Sequence, residues 1–253
     1  MNRLFIICLL AFTASSCKYD NPETLRPDYP VKISIAHKVS STPFISHSAY
    51  VNSFGENYVL DKFNYYISNI ELLQNGLSIG ATEKDSYHLV EAGNPAAESF
   101  TAKIPATNLN GISFLIGVDS LRNVSGAQTG ALDPLNGMFW TWNSGYIMAK
   151  MEGTTPFSTN PGNKFEWHIG GFKLPYNNTR KVTLIFPAGK MINISESGQA
   201  EIKINCDISK WFNGQHDFRI ALNPFSIHTV IPVTAQVADN YATMFTITDV
   251  INR

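Results

Sequence analysis

From Val31 onward, short runs of β-branched and aromatic residues recur between turn signals, and this pattern is what most constrains the fold. Val31-Lys32-Ile33-Ser34-Ile35-Ala36-His37 alternates apolar with polar or small residues. Successive side chains of a strand point to opposite faces, so the segment predicts a first strand. Tyr58-Val59-Leu60 predicts a short strand, and Phe63-Asn64-Tyr65-Tyr66-Ile67-Ser68-Asn69-Ile70-Glu71-Leu72 a longer one ending at the hairpin signal Asn75-Gly76. Further strands are expected over residues 86–90, 111–118, 146–152, 164–172, 180–186 and 201–206. Within residues 164–172, Phe165, Trp167 and Ile169 share one face, while Glu166 and His168 share the other. Helical signals are confined to residues 207–214 and 234–245, the second with Val237, Tyr241 and Met244 at roughly helical spacing. Residues 119–136 form a long loop of Ser-Gly, Thr-Gly and Asp-Pro signals. Its few charges and apolar flanks predict that it packs onto the fold. The expectation is an all-β class: a single β-sandwich-like domain with long loops and one or two short helices.

Cysteine placement decides how such a domain is stabilised. Arg3 precedes the apolar residues 4–12, and Thr13-Ala14-Ser15-Ser16 leads directly into Cys17. A charged start, a short apolar run and small residues before a cysteine read as a lipoprotein signal. The run is too short for a membrane-spanning helix, which needs about 20 apolar residues. Residues 1–16 are therefore expected to be a signal peptide and Cys17 the lipidation site. Residues 17–30, polar and with three prolines, are expected to be a tether to a domain over residues 31–253. Acyl chains contribute about 0.8 kcal/mol per buried methylene, so the lipid alone would hold the protein to a membrane. The expected location is the cell envelope, at the periplasmic or surface side of an outer membrane. Removal of Cys8 with the signal and lipidation of Cys17 leave only Cys206. With no intramolecular disulfide to form, the domain must rely on its apolar core. The chain has 19 basic and 20 acidic residues, a net charge of −1, which offers no basic field for nucleic acid.

No nucleophile elbow, phosphate loop, zinc-protease helix or haem-attachment motif is present, and no enzyme activity is expected. Six histidines are spread along the chain without a close ligand-like spacing. Imidazole suits copper and zinc, and an exported protein lacking a usable thiolate would build a metal site from histidines. His168 is the strongest candidate because it precedes Gly170 and Gly171, where backbone can be approached closely. His37 is a second, at the end of the first strand. Trp140 and Trp142 are two residues apart and would share a strand face. They read either as a core or sugar-stacking pair, or as a redox or modification site.

Several segments resemble one family. They are Phe63-Asn64-Tyr65-Tyr66-Ile67-Ser68-Asn69-Ile70, Gly117-Val118-Asp119-Ser120, the stretch from Gly130-Ala131-Leu132-Asp133-Pro134 through Trp140-Thr141-Trp142-Asn143-Ser144-Gly145-Tyr146, and Phe165-Glu166-Trp167-His168-Ile169-Gly170-Gly171. Together with Ala238-Asp239-Asn240-Tyr241-Ala242-Thr243-Met244-Phe245, they make the chain similar to the MbnP-like copper-binding proteins, in a variant like the lipoprotein members of Bacteroidota. The resemblance implies an all-β envelope protein that binds copper through histidines. It also implies a tryptophan oxidised to kynurenine by a partner di-haem enzyme of the MbnH type. Carried onto this chain, it points to His168 and to Trp140 or Trp142, and less specifically to His37, His228 and His88. One departure is that methanotroph members carry a cysteine shortly after the segment matching His168, where this chain has Gly171-Phe172.

Two functions follow. One is an exported copper-binding lipoprotein carrying the modified tryptophan. The alternative is a glycan- or nutrient-binding surface lipoprotein using its aromatic residues.

Overall fold

A computed structural model describes residues 29–81, 86–104, 108–126, 128–141, 143–194 and 198–253. The expected signal peptide, Cys17, most of the expected tether and Trp142 lie outside these residues. The strands, in chain order, are β1 (Tyr29–Val39), β2 (Thr42–Pro43), β3 (Ser48–Val51), β4 (Asn57–Gln74), β5 (Leu77–Ala81), β6 (Tyr87–Glu91), β7 (Ser99–Ile104), β8 (Gly111–Ile116), β9 (Phe139–Thr141), β10 (Gly145–Thr154), β11 (Lys164–Gly170), β12 (Arg180–Ile185), β13 (Ala200–Asp207) and β14 (Phe245–Asn252). The α-helices are short: α1 (Ser120–Asn123), α2 (Lys210–Asn213) and α3 (Pro232–Tyr241).

Two sheets make an all-β sandwich. The larger runs β11-β10-β4-β8-β12, with β3, β5 and β6 also paired to β4 and β9 to β10. The smaller runs β14-β13-β1-β2, with β7 on β1. β1 and β13 are parallel, with Val31 opposite Ala200 and His37 opposite Cys206. The facing sides carry the alternation expected of inward residues. Val31, Ile33, Ile35 and Val39 of β1 meet Phe63, Tyr65 and Ile67 of β4, Met151 of β10, and Phe165, Trp167 and Ile169 of β11 in one buried core. Each such side chain contributes about 1.5–3 kcal/mol when buried. Cys206 is a buried free thiol within this core.

The elements differ from the expected ones in instructive places. The short strand at Tyr58 and the longer one at Phe63 are one continuous strand, β4. Its register with β8 shifts between Ser68 and Glu71, and Asn69 there takes a left-handed φ of 50°. A bulge of this kind bends a long strand without ending it. β4 does end at Asn75-Gly76, whose φ values of 52° and 77° are the pair a two-residue type I′ hairpin requires. The expected tether overlaps β1 by two residues, because Tyr29 and Pro30 pair with Ile104 and Lys103 of β7. The C-terminal helix stops at Tyr241, and Phe245 instead opens β14.

Part of the outer face of the larger sheet is also covered. Residues 119–126 and 128–138 fold across it, and Leu132 and Met138 join Tyr66, Val118, Tyr146, Ile147, Met148 and Phe172 in a second apolar cluster. Polar groups of the sheet pin this loop through its carbonyls. The Tyr66 hydroxyl donates to Ala131 O at 3.0 Å, and the Tyr146 hydroxyl to Leu132 O at 2.7 Å. Lys150 Nζ donates to Gly137 O at 3.0 Å. The expected packed loop is thus the lid of a second core, and it delivers Trp140 to the edge of that core.

Candidate metal centre

β11 builds one half of the site. Its odd residues fill the sandwich core, so the even residues Glu166, His168 and Gly170 face outward. A Cβ on Gly170 would lie 2.4 Å from Cζ3 of Trp140, so the indole packs directly against the Gly170 backbone. Residues two apart on a strand are about 7 Å apart on one face. Trp140 and His168 are therefore neighbours along β11. The indole N–H of Trp140 is buried and has no hydrogen-bond partner among the described residues.

The segment around Ile227 builds the other half. It runs parallel to β11 through a bridge between Trp167 and Ile227. His168 N–H donates to Ile227 O at 2.9 Å, and Ile227 N–H to Glu166 O at 2.8 Å. Trp167 Nε1 donates to Phe225 O at 3.1 Å and Glu166 N–H to Ser226 Oγ at 3.1 Å. Ile227 is buried, so the next residue turns outward beside β11. The result brings His228 against His168, with ring centroids 4.6 Å apart and planes tilted by 34°.

Two carboxylates back these rings. Glu152 of β10 and Glu166 of β11 are directly opposite each other across the ladder. Like charges in that position repel unless cations separate them. His168 Nε2 lies 2.9 Å from Glu152 Oε1, and His228 Nε2 lies 3.0 Å from Glu166 Oε2. Lys150 Nζ is 3.3 Å from Glu152 Oε1 and Lys62 Nζ 3.3 Å from Glu152 Oε2. The hydrogen bond from His168, aided by both ammonium groups, holds the Glu152 carboxyl down to about 2. His168 is mostly covered, at 14% side-chain exposure, whereas His228 is 48% exposed. Beyond the rings, Trp140, Gly171, Phe172, Tyr176, Thr229 and Val230 line an open cleft of about 320 Å³.

A family model described as MbnP matches residues 28–229. The chain belongs to the MbnP family. No curated protein matches it. A solved structure, MbnP from Methylosinus trichosporium, is similar at 14% identity over 78% of this chain and 80% of that chain, with a TM-score of 0.49.

In this MbnP-family chain the candidate residues fall into two groups. His168, His228 and Trp140 come together at the outer end of β11. His37 does not join them. It lies on the same face of β1 as Val31, Ile33 and Ile35, and points into the sandwich core. Both its ring nitrogens are occupied there, Nδ1 by Glu98 Oε1 at 2.7 Å and Nε2 by the Tyr65 hydroxyl at 3.0 Å. His37 in turn holds the Glu98 carboxyl below its usual range. His88, on β6, stacks on Phe100 at 3.8 Å between centroids and is likewise apart from the pair. Of the four candidate histidines, His37 and His88 are not brought to the pair: strand parity turns His37 inward, and β6 pairs with β4 rather than with β11. Sequence places Glu166 on the face of His168, but it does not point to Glu152 or Lys150 as parts of the site. Alternation on residues 146–152 could have placed Lys150 and Glu152 on one face, but not beside His168.

The donors present test the fit to a metal. Among the described residues, no group of three or more histidine, cysteine, aspartate and glutamate side chains is arranged to hold a metal ion. The two adjacent imidazoles fall short of the three or four protein ligands of a zinc site. Their donor type, imidazole, is one that suits copper.

Proposed function

We propose that this chain is a copper-binding, non-enzymatic lipoprotein of the cell envelope, with His168 and His228 as its protein ligands and Trp140 as the tryptophan open to oxidation. The observation that carries this reading is the pair of imidazole rings 4.6 Å apart, next to an indole seated on Gly170. Membership of the MbnP family supports a copper-associated role. When bound, copper supplies a one-electron centre that polarises its ligands. The chain's own part is to orient the two rings, through Glu152 and Glu166, and to shield His168 from water. A partner di-haem oxidase would supply the oxidising equivalents for conversion of Trp140 to kynurenine. The membrane link would be the lipid on Cys17.

Glycan binding is less well supported. Trp140 lays part of its ring against the Gly170 backbone and buries its N–H, so only the remainder of the ring faces the cleft for sugar stacking.

The test is titration of copper(I) against a chromophoric competitor, with uptake of about one ion per chain expected. His168→Ala and His228→Ala should each weaken binding, and His37→Ala should not. Unchanged affinity in a His168→Ala, His228→Ala double variant would refute the reading. Mass spectrometry after co-expression with a di-haem oxidase tests the modification. Kynurenine formation removes one carbon and adds one oxygen, and the change should map to the peptide containing Trp140.

A further inference from the structure

We propose that Glu152 is the positioning residue that fixes the tautomer of His168, so that Nδ1 is the atom this ring presents to a metal. The inference rests on the metal reading above for its last clause only. The geometry is a chain of three contacts. His168 Nε2 lies 2.9 Å from Glu152 Oε1. The same oxygen is 3.3 Å from Lys150 Nζ, and the other carboxylate oxygen is 3.3 Å from Lys62 Nζ. Lys150 is 5% exposed, so one of these cations is fixed in place beneath the loop it holds. A carboxylate between two ammonium groups stays ionised, and an ionised carboxylate can only accept. The Nε2 atom facing it must then carry the proton. A neutral imidazole has one N–H, so the lone pair is at Nδ1. Among the described residues, Nδ1 of His168 makes no hydrogen bond. Carboxylates that orient metal-binding histidines in this way fix ring rotation and raise ligand basicity.

The same contacts connect the ring to the tryptophan segment. Lys150 bridges Glu152 to the carbonyl of Gly137, three residues before Trp140. The carboxylate that aims His168 is thus tied to the loop that carries the indole.

The decisive variant is Glu152→Gln made in a Lys150→Met background, because Lys150 and His168 share Oε1 and the buried lysine would otherwise keep the amide oxygen there. With that lysine gone, Lys62 would take the amide oxygen at the Oε2 position and the amide N–H would face Nε2; Lys150→Met alone is the control. His168 would then have to protonate Nδ1, as happens when the orienting aspartate of a serine-protease triad is made an amide. The readout is the ¹⁵N and ¹H correlation pattern of the imidazoles in copper-free protein. The wild type should show His168 with the proton on Nε2. Relative to Lys150→Met alone, the Lys150→Met, Glu152→Gln protein should move it to Nδ1 while leaving His228 unchanged, and should weaken copper(I) binding by about 10–100-fold. Glu152→Asp keeps an acceptor-only group and should retain the wild-type tautomer, and it stands in if the Gln variant does not fold. A wild-type His168 protonated on Nδ1, or a Lys150→Met, Glu152→Gln protein that keeps the proton on Nε2, would overturn the proposal. A tautomer switch with unchanged copper affinity would overturn the assignment of Nδ1 as ligand. A wild-type protein that takes up no copper yet shows the switch would refute the metal reading and leave the role of Glu152 standing.

Discussion

Replacing Gly170 with alanine isolates the contact that seats Trp140 beside His168. The added Cβ would lie 2.4 Å from Cζ3, 2.8 Å from Cη2 and 3.0 Å from Cε3 of the indole. Carbon atoms rest at about 3.5–4.0 Å, so the ring would have to retreat by roughly 1 Å. The backbone offers no relief in the other direction, because this face of the glycine is where the ring lies. Overpacking of this kind costs about 1–3 kcal/mol. Gly170 is not among the glycines with positive φ, so the alanine itself is unstrained. Once the ring is gone, the same change should instead add about 0.4–1 kcal/mol by restricting the unfolded chain. A four-protein cycle of wild type, Gly170→Ala, Trp140→Ala and the double variant should therefore give a coupling energy of about 1.5–4 kcal/mol, the sum of the two effects. Urea denaturation followed by far-ultraviolet circular dichroism measures it without relying on the other tryptophans. A destabilisation by Gly170→Ala that is undiminished in the Trp140→Ala background would show that the indole is not what the glycine accommodates.

Other expectations are independent of that contact. His37→Leu should lower stability by about 1–3 kcal/mol, because it leaves the buried Tyr65 hydroxyl without His37 and removes one partner of the partly exposed Glu98 carboxylate, while leaving copper affinity unchanged; no measurable loss by denaturant titration would argue against these contacts. The Glu152 carboxyl is held at about 2 against an ordinary 4.5, so the unfolded chain takes up its proton first and the stability it adds is full above 4.5 and is lost as the pH falls toward 2. Glu98 acts in the same direction. Glu152→Gln should accordingly flatten the stability–pH curve in that acid window, and an unaltered slope would show that the pairing contributes nothing. Asn240 accepts from Gln215 N–H and His216 N–H, both at 2.7 Å, and donates to Trp211 O and His216 O. Asn240→Ala should leave those buried groups unmet and cost about 3 kcal/mol or more, read as a drop in thermal midpoint of several degrees.

The strands were legible where one face is buried and the other is not. In β11 the order Phe165, Glu166, Trp167, His168, Ile169 determined both the strand and the outward direction of His168, because the strand period is two. The hairpin at Asn75-Gly76 was legible for a local reason as well: few residue pairs accept positive φ twice in succession. The inward direction of His37 was present in the same kind of pattern, since it keeps step with Val31, Ile33 and Ile35. β7 and β14 were not anticipated, for their patterns are short or broken by polar residues, and their pairing with β1 and β13 stabilises them from outside.

What the sequence by itself determined is therefore local: the all-β class, the faces of the best-alternating strands, and a glycine after His168 that some other group would have to fill. What only the tertiary structure decided is which groups meet. His228 is 60 residues from His168, and it reaches it because Ile227 adds one parallel bridge to the edge of β11. Trp140 reaches Gly170 because the loop before it folds over the second core. Glu152 reaches His168 through the register of β10 on β11. Each of these contacts depends on long-range pairing and burial, and no periodicity within one segment can encode its partner in another.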